Sequence, residues 1–165
     1  MQVTIRKIQE SDNAGIAKMI RDVFVEYKAP RKGTVFVDPT TDNLFEVFTA
    51  TNSVLWVALK NGEIVGSCGV YPTANLPHKC IELVKFYVSS KVRGTGVGRD
   101  LMIKSEQSAI EFGYEQIYIE SLPAFNNAVR IYTKHGYKTL SKPLGTSGHF
   151  GCDIWMVKDL KTTNY

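Results

Sequence analysis

The sequence predicts one α/β domain of three layers, with helices on both sides of a mixed sheet. Three observations lead there. Two β-rich runs, Val54 to Leu59 and Ile64 to Tyr71, meet at Asn61-Gly62, a dipeptide suited to the left-handed conformations of a tight hairpin turn. A third β-rich run, Cys80 to Val88, leads through a glycine-rich turn into a helical pattern marked by Val97, Leu101, Ser108 and Phe112. The 165 residues, 44% hydrophobic and 22% charged, suffice for one continuous core and are too ordinary in composition for disorder.

The remaining elements fall into place around these. Gln2 to Ile8 alternates apolar and polar residues as a first strand does, and Ser11 or Asp12 is placed to cap a helix behind it. Ile16, Met19, Ile20, Val23, Phe24 and Tyr27 recur at helical spacing. Two prolines, a glycine and the basic pair Arg31-Lys32 make Ala29 to Pro39 a solvated loop, and a short helix is expected over Thr41 to Ala50. After the glycine-rich turn, Gly113 is positioned to stop the long helix. Gln116 to Leu122 reads as a strand and Asn126 to His135 as a helix with Ala128, Ile131, Tyr132 and His135 on one face. Tyr137 to Leu140 and Asp153 to Lys158 close the sheet. No repeat, low-complexity tract or linker divides residues 1–165, so a single domain is expected.

Composition narrows the function. The net charge of +4 is spread along the chain rather than gathered into a basic, aromatic-rich patch, which argues against nucleic acid as a partner. Cys68, Cys80 and Cys152 lack C-x-x-C spacing, so neither a disulfide framework nor a metal site is expected, and the thiols point to a reducing, cytoplasmic compartment. No apolar run reaches membrane-spanning length, and the N-terminus has no apolar signal region.

The most informative stretch is Val88-Ser89-Ser90-Lys91-Val92-Arg93-Gly94-Thr95-Gly96-Val97-Gly98. A strand ends, a basic glycine-rich turn follows and a helix begins. The first turn of a helix leaves backbone N–H groups unpaired, its dipole favours negative charge, and glycines let the backbone approach an anion closely. Arg93 adds a charge-assisted donor. A phosphate-bearing ligand is therefore expected. Gly98 is followed by Arg99-Asp100 rather than Lys-Ser or Lys-Thr, which excludes a Walker A loop, and the two-residue glycine spacing does not fit the dinucleotide fingerprint.

Here the chain resembles the GNAT acetyltransferase superfamily. Arg93, Gly96 and Gly98 meet its (R/Q)-x-x-G-x-(G/A) signature, and Ala128 to Tyr137 is similar to its A-(I/V)-x-(L/I)-Y-x-K-x-G-(F/Y) segment. The resemblance implies a mostly antiparallel sheet splayed at its centre, with acetyl-CoA as co-substrate. It implies that the amides of Arg93, Gly94, Thr95, Gly96, Val97 and Gly98 hold the pyrophosphate, and that the backbone of Phe86, Tyr87 and Val88 pairs with the pantetheine arm. It also places Tyr132 near the sulfur. Phe125 stands where many relatives carry asparagine, which leaves the pantetheine contact either shifted to Asn126 or Asn127, with Asn127 the candidate, or missing. Dimers are common in the superfamily, so a homodimer is a possible assembly.

The implied reaction is acetylation of a primary amine, on a small molecule or a protein, by direct attack in a ternary complex. An alkylammonium is overwhelmingly protonated at neutral pH, and only the free amine attacks a thioester, so a base is useful. Glu82 is the candidate. Strand alternation predicts Glu82, Val84, Phe86 and Val88 on one side of the sheet, where a carboxylate among apolar neighbours has a raised pKa, unless Lys85 or Lys79 pairs with it. Tyr132 is the candidate general acid for the leaving thiolate, against the alternative of a core tyrosine. His135 reads as packing or surface. His149 lies in a Gly-rich loop that either faces the acceptor or is simply solvated. The rival to the enzyme is a domain of the same fold that senses acyl-CoA without turnover.

Overall fold

The computed structural model describes residues 2–161. The strands are β1 (Thr4–Lys7), β2 (Val54–Lys60), β3 (Glu63–Tyr71), β4 (Cys80–Val88), β5 (Gln116–Ser121), β6 (Lys138–Leu140) and β7 (Ile154–Asp159). The helices are α1 (Asn13–Glu26), α2 (Leu44–Val47), α3 (Val97–Glu111) and α4 (Asn126–Lys134), and the chain order is the one predicted. One sheet of order β1-β2-β3-β4-β5-β7-β6 runs through the molecule. Every neighbouring pair is antiparallel except β4 and β5, which run parallel.

Local chemistry accounts for most boundaries. Asn61 and Gly62 both take positive φ (53° and 77°), which turns β2 into β3 with a twist suited to a hairpin. Gly113 at φ 89° ends α3 in the left-handed conformation that a residue with a Cβ rarely adopts. The expected cap on α1 is not made by Asp12. Asp12 holds the cap position, but its carboxylate turns back to accept from the Gln9 N–H at 2.7 Å and to pair with Arg6 at 2.7 Å. The helix expected over Thr41 to Ala50 shortens to α2, because a 3-10 turn started by Pro39 occupies Pro39–Asp42.

Two apolar clusters lie on opposite sides of the sheet. Ala58, Val65 and Ile81 meet Leu101, Met102 and Ala109 of α3 on one side. Leu55 and Val57 meet Ile16, Ile20 and Phe24 of α1, with Leu44 of α2, on the other. Residues 54 to 58 thus alternate between the clusters with the period of two that a strand imposes. Removing a side chain such as Leu101, fully buried, costs about 2–5 kcal/mol by lost burial and the cavity left behind. Cys68 and Cys80 are buried free thiols, and Cys152 is a half-buried one. No described helix is long and apolar enough to cross a membrane.

Two features of β4 position the functional site. Its pairing with β5 is confined to Cys80–Gln116, Ile81–Ile117 and Glu82–Tyr118, so beyond Glu82 the strands part. On its other edge the register with β3 slips between Ser67 and Gly69, and β4 takes an extra residue there. Lys85 at this bulge has φ 54°, and the buried Ser67 hydroxyl donates to its carbonyl at 2.6 Å. The bulge reverses the alternation. Ile81, Leu83, Phe86 and Val88 pack with the α3 cluster, while Tyr87 packs with the α1 cluster. Glu82 therefore does not share a side with Phe86 and Val88, contrary to the uninterrupted alternation expected from sequence.

Candidate active site

The parting of β4 and β5 opens a cavity of about 510 Å³ that passes between the strands. Because the sheet is split there, residues from both of its faces reach one space. Phe86, Val88, Gly98 and Tyr132 line it from the α3–α4 side, and Glu82, Lys85, Tyr87 and His149 from the α1 side.

The glycine loop forms one mouth. Gly94 and Gly96 have φ of 78° and 92°, and a Cβ built on either would meet no atom within 4 Å. The two positions thus combine a backbone that favours glycine with open space above it, the shape of a cradle for a bulky anion. Gly96 is the residue from which α3 departs, so the free N–H groups of the first turn follow it. Gly98 lies on β4: a Cβ there would stand 3.4 Å from Val88 Cγ2. Thr95 turns its hydroxyl to the Val92 carbonyl at 2.6 Å, and Val97 is buried in the core, so both face the cradle only through their backbone.

Arg93 is placed differently from the expectation of a free phosphate donor. Its Nε donates to the Val88 carbonyl at 3.0 Å, its two terminal nitrogens fork onto Glu26 (Nη2 at 2.8 Å), and its guanidinium lies 4.8 Å from the Tyr27 ring centre. The side chain fastens the loop to α1 and the end of β4. Arg99, exposed and lining the same cavity, is the guanidinium the sequence reading did not single out. Its only signal was its place directly after Gly98.

Glu82 is buried, and the Thr73 hydroxyl donates to its Oε2. Burial pushes its carboxyl up to about 7, Glu120 across the split adds to the rise, and Thr73 and Lys85 oppose it. Lys79 does not pair with it but with Glu115 at 2.9 Å. Tyr132 is buried with its ring 5.8 Å from Phe86 and 5.6 Å from Tyr137. The hydroxyls of Tyr118 and Tyr137 donate to Glu120 and Glu106 at 2.7 Å, whereas that of Tyr132 makes no hydrogen bond among the described residues and borders the cavity. Burial raises its pKa well above 10, so it keeps its proton. On α4 only Tyr132 is buried; Ile131 is 42% exposed and His135 half-buried, though both line the cavity. The neighbours of Phe125 are aromatic, with Phe24, Tyr27 and Tyr87 around its ring, and Asn127 rather than Asn126 borders the cavity.

His149 is not solvated freely: its Nε2 lies 2.8 Å from Asp38 Oδ2, which ties the 145–152 loop to the 29–38 loop. Burial alone would raise the Asp38 carboxyl, but the hydrogen bonds from His149 and Thr40 hold it at about 2. Arg31 is not simply solvated either, since its guanidinium stacks 4.4 Å from the Phe36 ring centre. Among the described residues no group of three or more His, Cys, Asp or Glu is arranged to hold a metal.

The comparisons with known proteins agree with this geometry. Residues 17–137 match the model of the acetyltransferase (GNAT) family. The chain is 31% identical over 157 residues to the uncharacterized N-acetyltransferase YjgM of Escherichia coli K12, with 94% of each chain covered. A GNAT-family acetyltransferase from Staphylococcus aureus Mu50 shares the fold with a TM-score of 0.81 at 19% identity, over 96% of this chain and 99% of that one. The PaiA N-acetyltransferase of Thermoplasma acidophilum, solved with coenzyme A, superposes with a TM-score of 0.73 at 16% identity, over 96% and 99%.

Proposed function

Because this chain belongs to the GNAT family of acyl-CoA-dependent N-acetyltransferases, we propose that it moves the acetyl group of acetyl-CoA directly onto a primary amine, with Glu82 as base and Tyr132 as acid. The observation that carries the reading is a single cavity that joins three parts: a glycine cradle, a buried carboxyl raised to about 7 and a tyrosine whose hydroxyl makes no hydrogen bond among the described residues.

Acetyl-CoA suits the cavity from the cradle inward. The N–H groups from Gly94 to Gly98 receive the pyrophosphate, with Arg99 at the rim, and Asn127 borders the path of the pantetheine. Past Glu82 the β4 edge facing β5 lacks a partner strand, so the backbone groups of Phe86, Tyr87 and Val88 that point to that edge are placed to hydrogen-bond an extended amide-bearing arm, apart from the Val88 carbonyl, which already accepts from Arg93. That the Thermoplasma relative was solved with coenzyme A supports the same ligand here.

The chemistry follows from the two faces. An amine entering from the α1 side meets Glu82, which accepts its proton directly or through a water. The amine nitrogen forms a bond to the thioester carbon, the carbon–sulfur bond breaks, and Tyr132 on the α3–α4 side donates its proton to the departing sulfur. A carboxyl at about 7 is a base matched to neutral pH, and a tyrosine raised by burial remains a donor throughout that range. A sensor of acyl-CoA would need neither group in the cavity. The test is release of free thiol from acetyl-CoA with a panel of primary amines. Amine-dependent release supports the enzyme; protection against unfolding by acetyl-CoA with no release on any amine would favour the sensor.

A further inference from the structure

Charges of both signs lie on or beside the acceptor side of the cavity, and two of them are already committed within the protein. Asp38 is held by His149 at 2.8 Å and by the Thr40 N–H and hydroxyl at 2.9 and 2.7 Å. Glu120 receives the hydroxyls of Tyr118, at 2.7 Å, and Ser147. Two groups are left over. Glu82 uses one oxygen for Thr73 and has Oε1 to spare. Lys85 lines the cavity, and among the described residues its ammonium makes no hydrogen bond or ion pair, only longer-range contacts with the charges of Asp38 and Glu82. The backbone is moreover shaped to present it: the β4 bulge puts Lys85 at φ 54°, locked by Ser67.

Beside this pair the cavity has an apolar wall. Leu122, Phe125, Tyr87 and Val35 line it. Above it the 29–38 and 145–152 loops are joined by Gly151 N–H to the Gly33 carbonyl at 2.8 Å and by His149 to Asp38, and Thr146 N–H reaches the Ala74 carbonyl at 2.8 Å. Such an enclosure fits a small molecule rather than a protein segment.

We infer that the acceptor is a small zwitterion, an α-amino acid with an apolar side chain, whose carboxylate is bound by Lys85 while its amine is presented to Glu82. An ammonium next to a carboxylate is the complement of an unspent carboxylate and an unspent ammonium three residues apart on one bulged strand. Burial lowers the Lys85 pKa, and the neighbouring carboxylates Asp38 and Glu82 partly offset that effect; a substrate carboxylate would offset it further. The inference rests on the acetyltransferase reading. In the transfer the ammonium first gives one proton to Glu82 and on to solvent, the free amino nitrogen bonds to the acetyl carbon as the carbon–sulfur bond breaks, coenzyme A leaves as the thiol with the proton from Tyr132, the second nitrogen proton replaces the one Tyr132 gave up, and the carboxylate is unchanged.

The test compares kcat/KM for L-phenylalanine, L-leucine and L-methionine with that for the matching amines lacking the carboxylate (phenethylamine, 3-methylbutylamine and 3-(methylsulfanyl)propylamine) and for the carboxamides. One charge-assisted contact corresponds to a preference of about 10- to 100-fold for the amino acid. Lys85→Met should remove that preference, and Lys85→Arg should retain part of it. Equal or better turnover of the amines and amides, or an unaltered preference in Lys85→Met, overturns the inference while leaving the acetyltransferase intact. The acetyltransferase reading fails only if no amine of the wider panel releases thiol; if none of the present compounds is acetylated, calorimetry of the same amino acids against the coenzyme A-loaded protein decides the site alone: binding lost in Lys85→Met supports it, and no binding to the parent refutes it.

Discussion

Replacing Glu82 by Gln separates its chemical role from its structural cost, because the two predict effects of opposite sign. The carbonyl oxygen of the amide can still accept from Thr73, so the local structure survives, but no proton can be taken from the amine. Loss of a general base lowers kcat/KM by about 10²-fold or more, with acetyl-CoA affinity nearly unchanged. In the parent the rate should rise with pH through about 7, where the deprotonated base becomes populated, and that limb should vanish in Glu82→Gln. Stability should move the other way. The folded-state value of about 7 lies above the ordinary 4.5, so the folded state holds the proton more tightly than the unfolded one. The parent therefore loses stability as pH rises from 4.5 through 7, by about 3 kcal/mol in all, taking 1.36 kcal/mol for each pKa unit. Glu82→Gln escapes that loss. It should be more stable than the parent by roughly 3 kcal/mol at pH 9, but by less than about 1 kcal/mol at pH 5, as read from urea denaturation at the two pH values. An unchanged pH–rate limb would refute the base, and a stability difference that does not depend on pH would refute the raised carboxyl.

Three other outcomes are expected. Tyr132→Phe should fold, because the ring that meets Phe86 and Tyr137 is kept, and should lower kcat by about 10- to 100-fold, less with a donor whose thiol is more acidic; full kcat where chemistry limits the rate excludes the acid role. Gly96→Asp places a negative side chain in the cradle at a backbone of φ 92° and should abolish the thermal shift produced by acetyl-CoA, whereas an undiminished shift would remove the loop from the binding site. His149→Ala frees Asp38 and the loop over the acceptor side, so KM for the amine should rise with acetyl-CoA binding unaffected; parental kinetics on every amine would leave His149 a structural latch.

What could be read in the sequence was what depends on near neighbours. Asn61-Gly62 marked its hairpin, Gly94 and Gly96 marked a turn that needs positive φ, and Gly113 marked a helix end, because each requirement belongs to the residue itself. Tyr132 emerged from motif and helical spacing together. What escaped notice depended on distant partners or on a break in regularity. Lys85 is not a residue type that announces a left-handed backbone, so the β4 bulge was silent, and with it the switch that moves Glu82 to the opposite face from Phe86 and Val88. Arg93 read as a phosphate ligand because its partner, Glu26, lies on a helix far away in the chain. The same holds for His149, whose tie to Asp38 joins two loops that no local pattern connects. Lys85 was weighed only as a partner for Glu82. Its place in the cavity needed the fold.

The central claim is that the split between β4 and β5 is the acetyl-CoA site, and a crystal structure with coenzyme A tests it most directly. The account predicts the pyrophosphate on the backbone N–H groups of Gly94 to Gly98, the pantetheine along the free edge of β4 from Phe86 to Val88, and the sulfur between the Tyr132 hydroxyl and the Glu82 side of the cavity. Coenzyme A bound elsewhere on the molecule, or a pyrophosphate held away from that loop, would contradict it.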